Sequence, residues 1–202
     1  SCMCNLYRMT KNAAEVADWF KVTNELDGAN FSSEVYPGYP GAVIADGAAR
    51  SMVWGFPLVL KSKRTDEPLK PKPVNNTRTD KLDSYIWRYS FAERRCLIPL
   101  TASAEAEGPK GGKTRTWLSL PDADLFAVAG IWRSSDEWGD CYSMLMTDAA
   151  GDAARVHDRM PVLLGVSHFS QWTDGTTDEA FGLCHALTGE LELERTSDRW
   201  TR

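Results

Sequence analysis

Ala13, Val16, Ala17 and Phe20 recur at i, i+3, i+4 and i+7, the spacing of one helix face. That spacing predicts a helix over 10–24, capped by Thr10 or Asn12. Beyond it the period changes. Residues 31–41 hold two prolines, two glycines and two tyrosines and read as loop. Short apolar, β-branched or aromatic runs follow at 42–45, 52–54 and 58–60, and again at 96–100, 114–120, 125–132, 142–147 and 160–164. Turn sequences such as Pro121-Asp122-Ala123-Asp124 and Trp138-Gly139-Asp140 lie between them. Residues 61–79 carry Pro68, Pro71 and Pro73 and read as a long loop. Residues 87–93 and 166–174 read as short helices, and 191–194 as a half-exposed strand. The pattern predicts an α+β fold: one strand-rich domain over 1–202, with antiparallel or mixed sheets forming a barrel-like core and a few short helices. No strand–helix–strand alternation with a glycine-rich turn occurs, so a Rossmann nucleotide site is not expected.

Charge changes the picture at one place. The 202 residues carry a net charge of −5, which argues against a general nucleic-acid coat. From Lys61 to Arg95, however, ten Lys/Arg face five Asp/Glu, a local net of +5 that leaves −10 for the remainder. The middle of the chain could therefore face a phosphate backbone, or be an ordinary solvated loop surface. No stretch nears the ~18 apolar residues of a membrane span, and the start lacks a secretory pattern. A cytoplasmic protein, nucleoid-associated when bound to DNA, is expected. The five cysteines (2, 4, 96, 141 and 184) are odd in number and scattered, so neither a disulfide framework nor a zinc site is expected. No cofactor is expected either.

Four groups of residues could carry chemistry. Cys4 follows Met3. If the residues ahead of it are removed, it presents a 1,2-aminothiol, with an amine of pKa about 7.7–8.0 and a thiol near 8.5. An aldehyde condenses with such a pair to an imine that the thiolate closes into a thiazolidine; an incidental terminal cysteine is the plain alternative. Asn75-Asn76-Thr77-Arg78 lies inside the basic segment. An asparagine there can orient a sugar, and an arginine two residues on shares its side if the chain is extended and suits a phosphate; a polar turn is the alternative. Arg95-Cys96-Leu97-Ile98-Pro99 leads to Glu105 in a small-residue run. Burial there would raise the carboxyl pKa and make it a proton donor or acceptor, with Glu107 as competitor. His157, between Val156 and Asp158, is the histidine placed for proton transfer; His168 and His185 read as structural.

Taken in order, Met3-Cys4, Trp54-Gly55-Phe56-Pro57, Asn76-Thr77-Arg78, Arg95-Cys96-Leu97-Ile98-Pro99 with Glu105, Phe126-Ala127-Val128-Ala129-Gly130-Ile131-Trp132 and His157-Asp158-Arg159-Met160-Pro161-Val162 resemble the SRAP family of abasic-site processing proteins. The resemblance implies a sensor of abasic sites in single-stranded DNA that links itself to the opened sugar through a thiazolidine at an exposed Cys4. It implies Asn76 holding cysteine and sugar in register, Glu105 serving ring opening and imine formation, and His157 assisting. Arg78 and Arg159 would contact DNA, and Trp54 with Pro57 would form a stacking wedge. The family's usual Cys-Gly-Arg is here Cys4-Asn5-Leu6, which leaves Arg8 as the candidate replacement arginine. Ser1-Cys2 read as an expression scar ahead of an initiator Met3, removable by the family's own peptidase activity. A monomer is implied, with abasic single-stranded DNA and replication-fork proteins as partners and no membrane. Two other readings use the same residues: a cysteine peptidase or hydrolase with Cys4 as nucleophile, and a non-covalent single-strand binder.

Overall fold

The computed structural model describes residues 4–30, 32–187 and 189–200. Ser1, Cys2 and Met3 lie outside the described residues. The strands are, in chain order, β1 (Tyr7–Arg8), β2 (Thr23–Asn24), β3 (Glu34–Val35), β4 (Pro40–Ala45), β5 (Ala48–Trp54), β6 (Phe56–Leu58), β7 (Lys72–Val74) and β8 (Asn76–Arg78). They continue as β9 (Arg95–Leu100), β10 (Ala102–Glu107), β11 (Thr114–Ser119), β12 (Phe126–Ser135), β13 (Gly139–Asp148), β14 (Arg159–Pro161), β15 (Leu163–Leu164) and β16 (Glu192–Arg199). Four short α-helices accompany them: α1 (Ala13–Phe20), α2 (Arg88–Glu93), α3 (Phe169–Asp174) and α4 (Thr177–Phe181).

β13, β12, β9, β4 and β5 form successive antiparallel neighbours. A parallel contact of β5 with β13, at Val53↔Cys141 and Trp54↔Tyr142, closes them into a five-stranded barrel. This is the strand-rich, barrel-cored α+β fold expected. Closure removes free edges and fills the interior with Val43, Ile98, Val128 and Met144, all without accessible surface. A second sheet, β16-β11-β10-β1-β3, lies beside the barrel. Tyr7, from its β1 strand, joins the barrel's core cluster, so the chain's N-terminal strand couples the two sheets.

The local readings hold where periodicity was strong. α1 starts at an Asn12–Glu15 capping box and ends at Lys21, whose left-handed backbone stops it before residue 24. They fail where tertiary pairing overrides composition. Residues 61–79 are not one loop: β6 and β7 pair at Phe56↔Val74, Pro57↔Pro73 and Leu58↔Lys72, and a Lys61↔Pro68 bridge extends the pair into a long ribbon. Ala102–Glu107, poor in strand-formers, becomes a strand because β1 and β11 pair with it on both sides. Residues 166–174 split into a 3₁₀ turn and α3. Among the described residues no helix is long and apolar enough to cross a membrane.

Candidate functional site

β8 is the element on which the site is organised. It is extended and pairs in parallel with β13, at Asn76↔Met144, Thr77↔Leu145 and Arg78↔Met146. Alternation therefore puts Asn76 and Arg78 on one side and Thr77 on the other. The Asn76 amide donates to the Cys4 carbonyl at 2.7 Å, and the Asn75 amide donates to the same oxygen at 3.0 Å. Asn75 also donates to Asn5 Oδ1 at 3.0 Å. Thus two side-chain amides fix the backbone of Cys4. The Cys4 thiol donates to the Leu6 carbonyl at 3.4 Å, and that carbonyl also accepts the Ala104 N–H at 3.0 Å. The resemblance implies an exposed cysteine; the structure instead gives Cys4 no accessible surface.

Trp54 and Pro57 correct the stacking expectation. Trp54 is fully buried, because its place on a barrel strand points the indole inward. Its Nε1 donates to the Asn75 carbonyl at 3.0 Å, and its ring meets Tyr7 edge-on, with centroids 4.9 Å apart. Pro57 is buried as well, in the β6–β7 pairing. Neither ring can stack on a base in this structure; Trp54 instead holds the backbone that presents the two asparagines. Tyr7 was not singled out from sequence. Its hydroxyl hydrogen-bonds that of Tyr142 at 2.5 Å with both side chains buried. Burial drives both phenols well above their ordinary pKa. A Cβ at Gly41 would run into both hydroxyls, so glycine is what admits the pair.

Glu105 is 2% exposed on β10. Burial, and then the charge of Asp158, pushes its carboxyl well above the ordinary carboxylate range, so the neutral acid is favoured. Its Oε1 has no hydrogen-bond partner among the described residues, and neither has Asn76 Oδ1. Glu107 differs. It accepts from Arg195 at 2.9 and 3.2 Å and from Thr116 at 2.7 Å. The Arg195 hydrogen bonds lower its pKa despite partial burial. Glu107 is thus a structural anion, and of the two acids Glu105 is the one able to give a proton.

His157 follows a 3₁₀ turn at Gly151–Arg155. Its Nδ1 accepts the Arg159 N–H at 3.0 Å and lies 3.1 Å from Asp158 Oδ1. In the neutral ring that hydrogen bond leaves the proton on Nε2; a protonated ring would turn Nδ1–H to Asp158. Arg78 and Arg159 pair with opposite sides of β13, at Met146 and Asp148. Each is neutralised by an exposed carboxylate. Arg78 makes a bidentate pair with Asp80, at 3.0 and 2.6 Å, and Arg159 reaches Asp148 at 2.8 Å. The Arg78 hydrogen bonds hold the Asp80 carboxyl below its usual range. Arg8 does not join them. It alternates to the face opposite Tyr7, 3.7 Å over the Trp117 ring and 3.6 Å from Glu34. No cluster of three or more His, Cys, Asp or Glu suited to a metal occurs among the described residues.

Residues 3–199 match the family described as SOS response associated peptidase (SRAP). The chain is 26% identical over 171 residues to abasic site processing protein YMR114C of Saccharomyces cerevisiae, covering 82% of this chain and 44% of that protein. It is 24% identical over 185 residues to abasic site processing protein YoaM of Bacillus subtilis, covering 84% and 78%. The chain thus spans under half the length of the yeast relative. Among solved structures, a protein from Bacteroides thetaiotaomicron superposes with a TM-score of 0.78 at 18% identity, covering 95% of this chain and 91% of that one. A protein from Bordetella bronchiseptica gives 0.75 at 20% identity, covering 96% and 99%. These two likenesses establish the fold.

Proposed function

The chain belongs to the SOS response associated peptidase family, and from that premise we propose that it acts in DNA repair by capturing abasic sites in single-stranded DNA covalently at Cys4. The observation that carries the reading is the double clamp on the Cys4 carbonyl by Asn75 and Asn76, with a partnerless buried acid, Glu105, in the strand alongside β1. On this reading the clamp orients the Cys4 backbone, and Glu105 serves as the proton donor.

Glu105, kept neutral by burial, gives its proton to the ring oxygen as the abasic hemiacetal opens and takes the proton of the anomeric hydroxyl, so the aldehyde forms and the acid is restored. The Cys4 amine adds to that carbon and one of its protons passes to the oxygen, giving a carbinolamine. Glu105 protonates the departing hydroxyl, water leaves, and the Glu105 carboxylate takes the remaining N–H proton to leave the neutral imine. The Cys4 sulfur then closes on the imine carbon while the S–H proton passes to the nitrogen, and a five-membered thiazolidine results. His157, its Nδ1 held by Arg159 N–H, offers Nε2 to the same transfers or their reversal. The unpaired Asn76 Oδ1 accepts a hydroxyl of the opened sugar. Arg78 and Arg159 exchange their exposed aspartates for phosphates, a swap that loses little because exposed pairs are worth about 0–1 kcal/mol.

The amine must be free. In the 202-residue chain the Cys4 nitrogen is an amide to Met3, so hydrolysis of that bond has to precede capture. Intact mass spectrometry, before and after mixing with an abasic oligonucleotide, tests this. A form beginning at Cys4 is expected to gain the mass of the DNA less one water, and the longer chain to do so only after losing Ser1-Cys2-Met3. An equally fast, stable adduct on the uncut chain contradicts the aminothiol mechanism.

A further inference from the structure

With Trp54 and Pro57 buried, the reading above has no base-stacking surface. Trp19, Tyr39 and Phe181 are exposed at separate places, but the two most exposed aromatic residues among those described lie together, on and just before α2. Tyr85 is 84% exposed and Tyr89 61% exposed, so neither ring contributes much to the core. The Arg88 guanidinium lies over both, 5.7 Å from the Tyr85 centroid and 5.0 Å from that of Tyr89, which ties the two rings into one ledge.

The ledge abuts the root of the β6–β7 ribbon. Trp87, between Ile86 and Arg88, packs its buried ring 5.0 Å from that of Phe56, the first residue of β6. The Arg133 guanidinium lies 5.1 Å over the same Phe56 ring. From Leu58 to Lys72 the ribbon carries Lys61, Lys63, Arg64, Lys70 and Lys72 against Asp66 and Glu67, a net of +3 on a chain of net −5. Its apolar residues Leu58, Val59, Leu60 and Leu69 are 39–48% exposed. Exposed apolar groups set among like charges mark an interaction surface. On the other flank Arg88 borders a cleft of about 470 Å³ lined also by Asp83 and Asp178, whose charges disfavour a phosphate inside the cleft.

We propose that Tyr85, Arg88 and Tyr89 form a stacking ledge for bases next to the lesion, and that the Leu58–Lys72 ribbon tracks the sugar–phosphate backbone of the same single strand. The inference deepens the abasic-site reading and rests on it for the identity of the strand. Aromatic faces bind bases without regard to sequence, and a basic groove holds the phosphates. That combination suits a protein that must act wherever a base is missing.

The test uses the full chain and a labelled, intact dT15 oligonucleotide, which separates this surface from the covalent chemistry. The double substitution Tyr85→Ala/Tyr89→Ala is expected to weaken dT15 binding at least tenfold. Tyr85→Phe/Tyr89→Phe, which keeps both rings, is expected to bind within twofold of the parent. Lys61→Gln/Lys63→Gln/Arg64→Gln is expected to flatten the dependence of log Kd on log salt by about two, since each phosphate contact on single strands contributes about 0.7. Photocrosslinking with 5-iododeoxyuridine in place of thymidine is expected to map to Tyr85 or Tyr89. All these positions are exposed, and circular dichroism confirms folding. Unchanged dT15 affinity in the double alanine variant overturns the proposal, as does failure of the parent to bind dT15. If the ring and lysine effects appear while no form gives an abasic adduct, the surface stands and the covalent reading falls.

Discussion

The two sides of β8 are chemically opposite. Thr77 has no accessible surface and shares a 2.7 Å hydrogen bond with Ser143. Asn76, one residue earlier, gives its amide to Cys4 and leaves its oxygen unpaired. The Thr77 side is satisfied by the protein itself, as a core polar group must be. The Asn76 side is incomplete, and it is the side that holds Cys4. Other buried atoms also lack partners, among them Trp117 Nε1 and Trp200 Nε1, but Glu105 Oε1 is the carboxyl oxygen among those found in the described residues. On the proposed reading, the unpaired acceptor beside the clamped Cys4 is the one a substrate hydroxyl would meet. The comparison teaches where substitutions should cost stability and where they should cost chemistry.

The largest expected effect is on the satisfied side of the barrel. Gly41→Ala forces a methyl into the Tyr7–Tyr142 hydroxyl pair and should lower unfolding free energy by about 3 kcal/mol, the upper part of the overpacking range. Urea titration measures it. A loss under about 0.5 kcal/mol, the range of neutral surface changes, would show that the tyrosine pair adapts and does not brace the N-terminal strand.

A smaller effect, of opposite sign, is expected at Glu105. Its folded-state pKa is raised by burial, so the stability of the parent is full below the ordinary carboxyl value, about 4.3, and is lost as pH rises toward the folded-state value. Glu105→Gln cannot ionise. It should match the parent near pH 4 and exceed it at pH 8 by on the order of 1 kcal/mol, less than the full linkage slope because the buried amide needs partners of its own. Thermal unfolding at the two pH values decides. A variant less stable at pH 8 than at pH 4, relative to the parent, would mean that Glu105 is ionised and paired.

Legibility from sequence followed the same division. The barrel strands 96–100, 125–132 and 142–147 were visible as apolar β-forming runs, because a strand buried on both faces must be apolar throughout. The second sheet was less visible. β10 reads Ala-Ser-Ala-Glu-Ala-Glu, and only pairing partners distant in sequence make it a strand. The ribbon was hidden by its prolines, which sit where the ladder needs no donor. For the site, Cys4, Asn76, Glu105 and His157 were picked out by residue type and by the family's order. Trp54 was assigned the wrong contact, since the tryptophan in Trp54-Gly55 gives no sign of which way a barrel strand faces. Asn75 and Tyr7 were missed. Asn75 had a sequence signal, its place beside Asn76; Tyr7 had none, because its partner Tyr142 is 135 residues away.

Neighbouring substitutions on the two sides of β8 put the comparison to the most direct test. Single-turnover adduct formation with an abasic oligonucleotide, using forms that begin at Cys4, should be measured beside thermal unfolding for Asn76→Ala and Thr77→Val. Asn76→Ala is expected to slow adduct formation at least tenfold while unfolding within a few degrees of the parent, because Asn75 still holds the Cys4 carbonyl. Thr77→Val is expected to keep the parental rate and lose about 1–2 kcal/mol of stability, because Ser143 is left without its partner. A parental rate in Asn76→Ala, or rate losses in both variants that merely follow their stability, would contradict a cradle built to hold Cys4 for covalent capture.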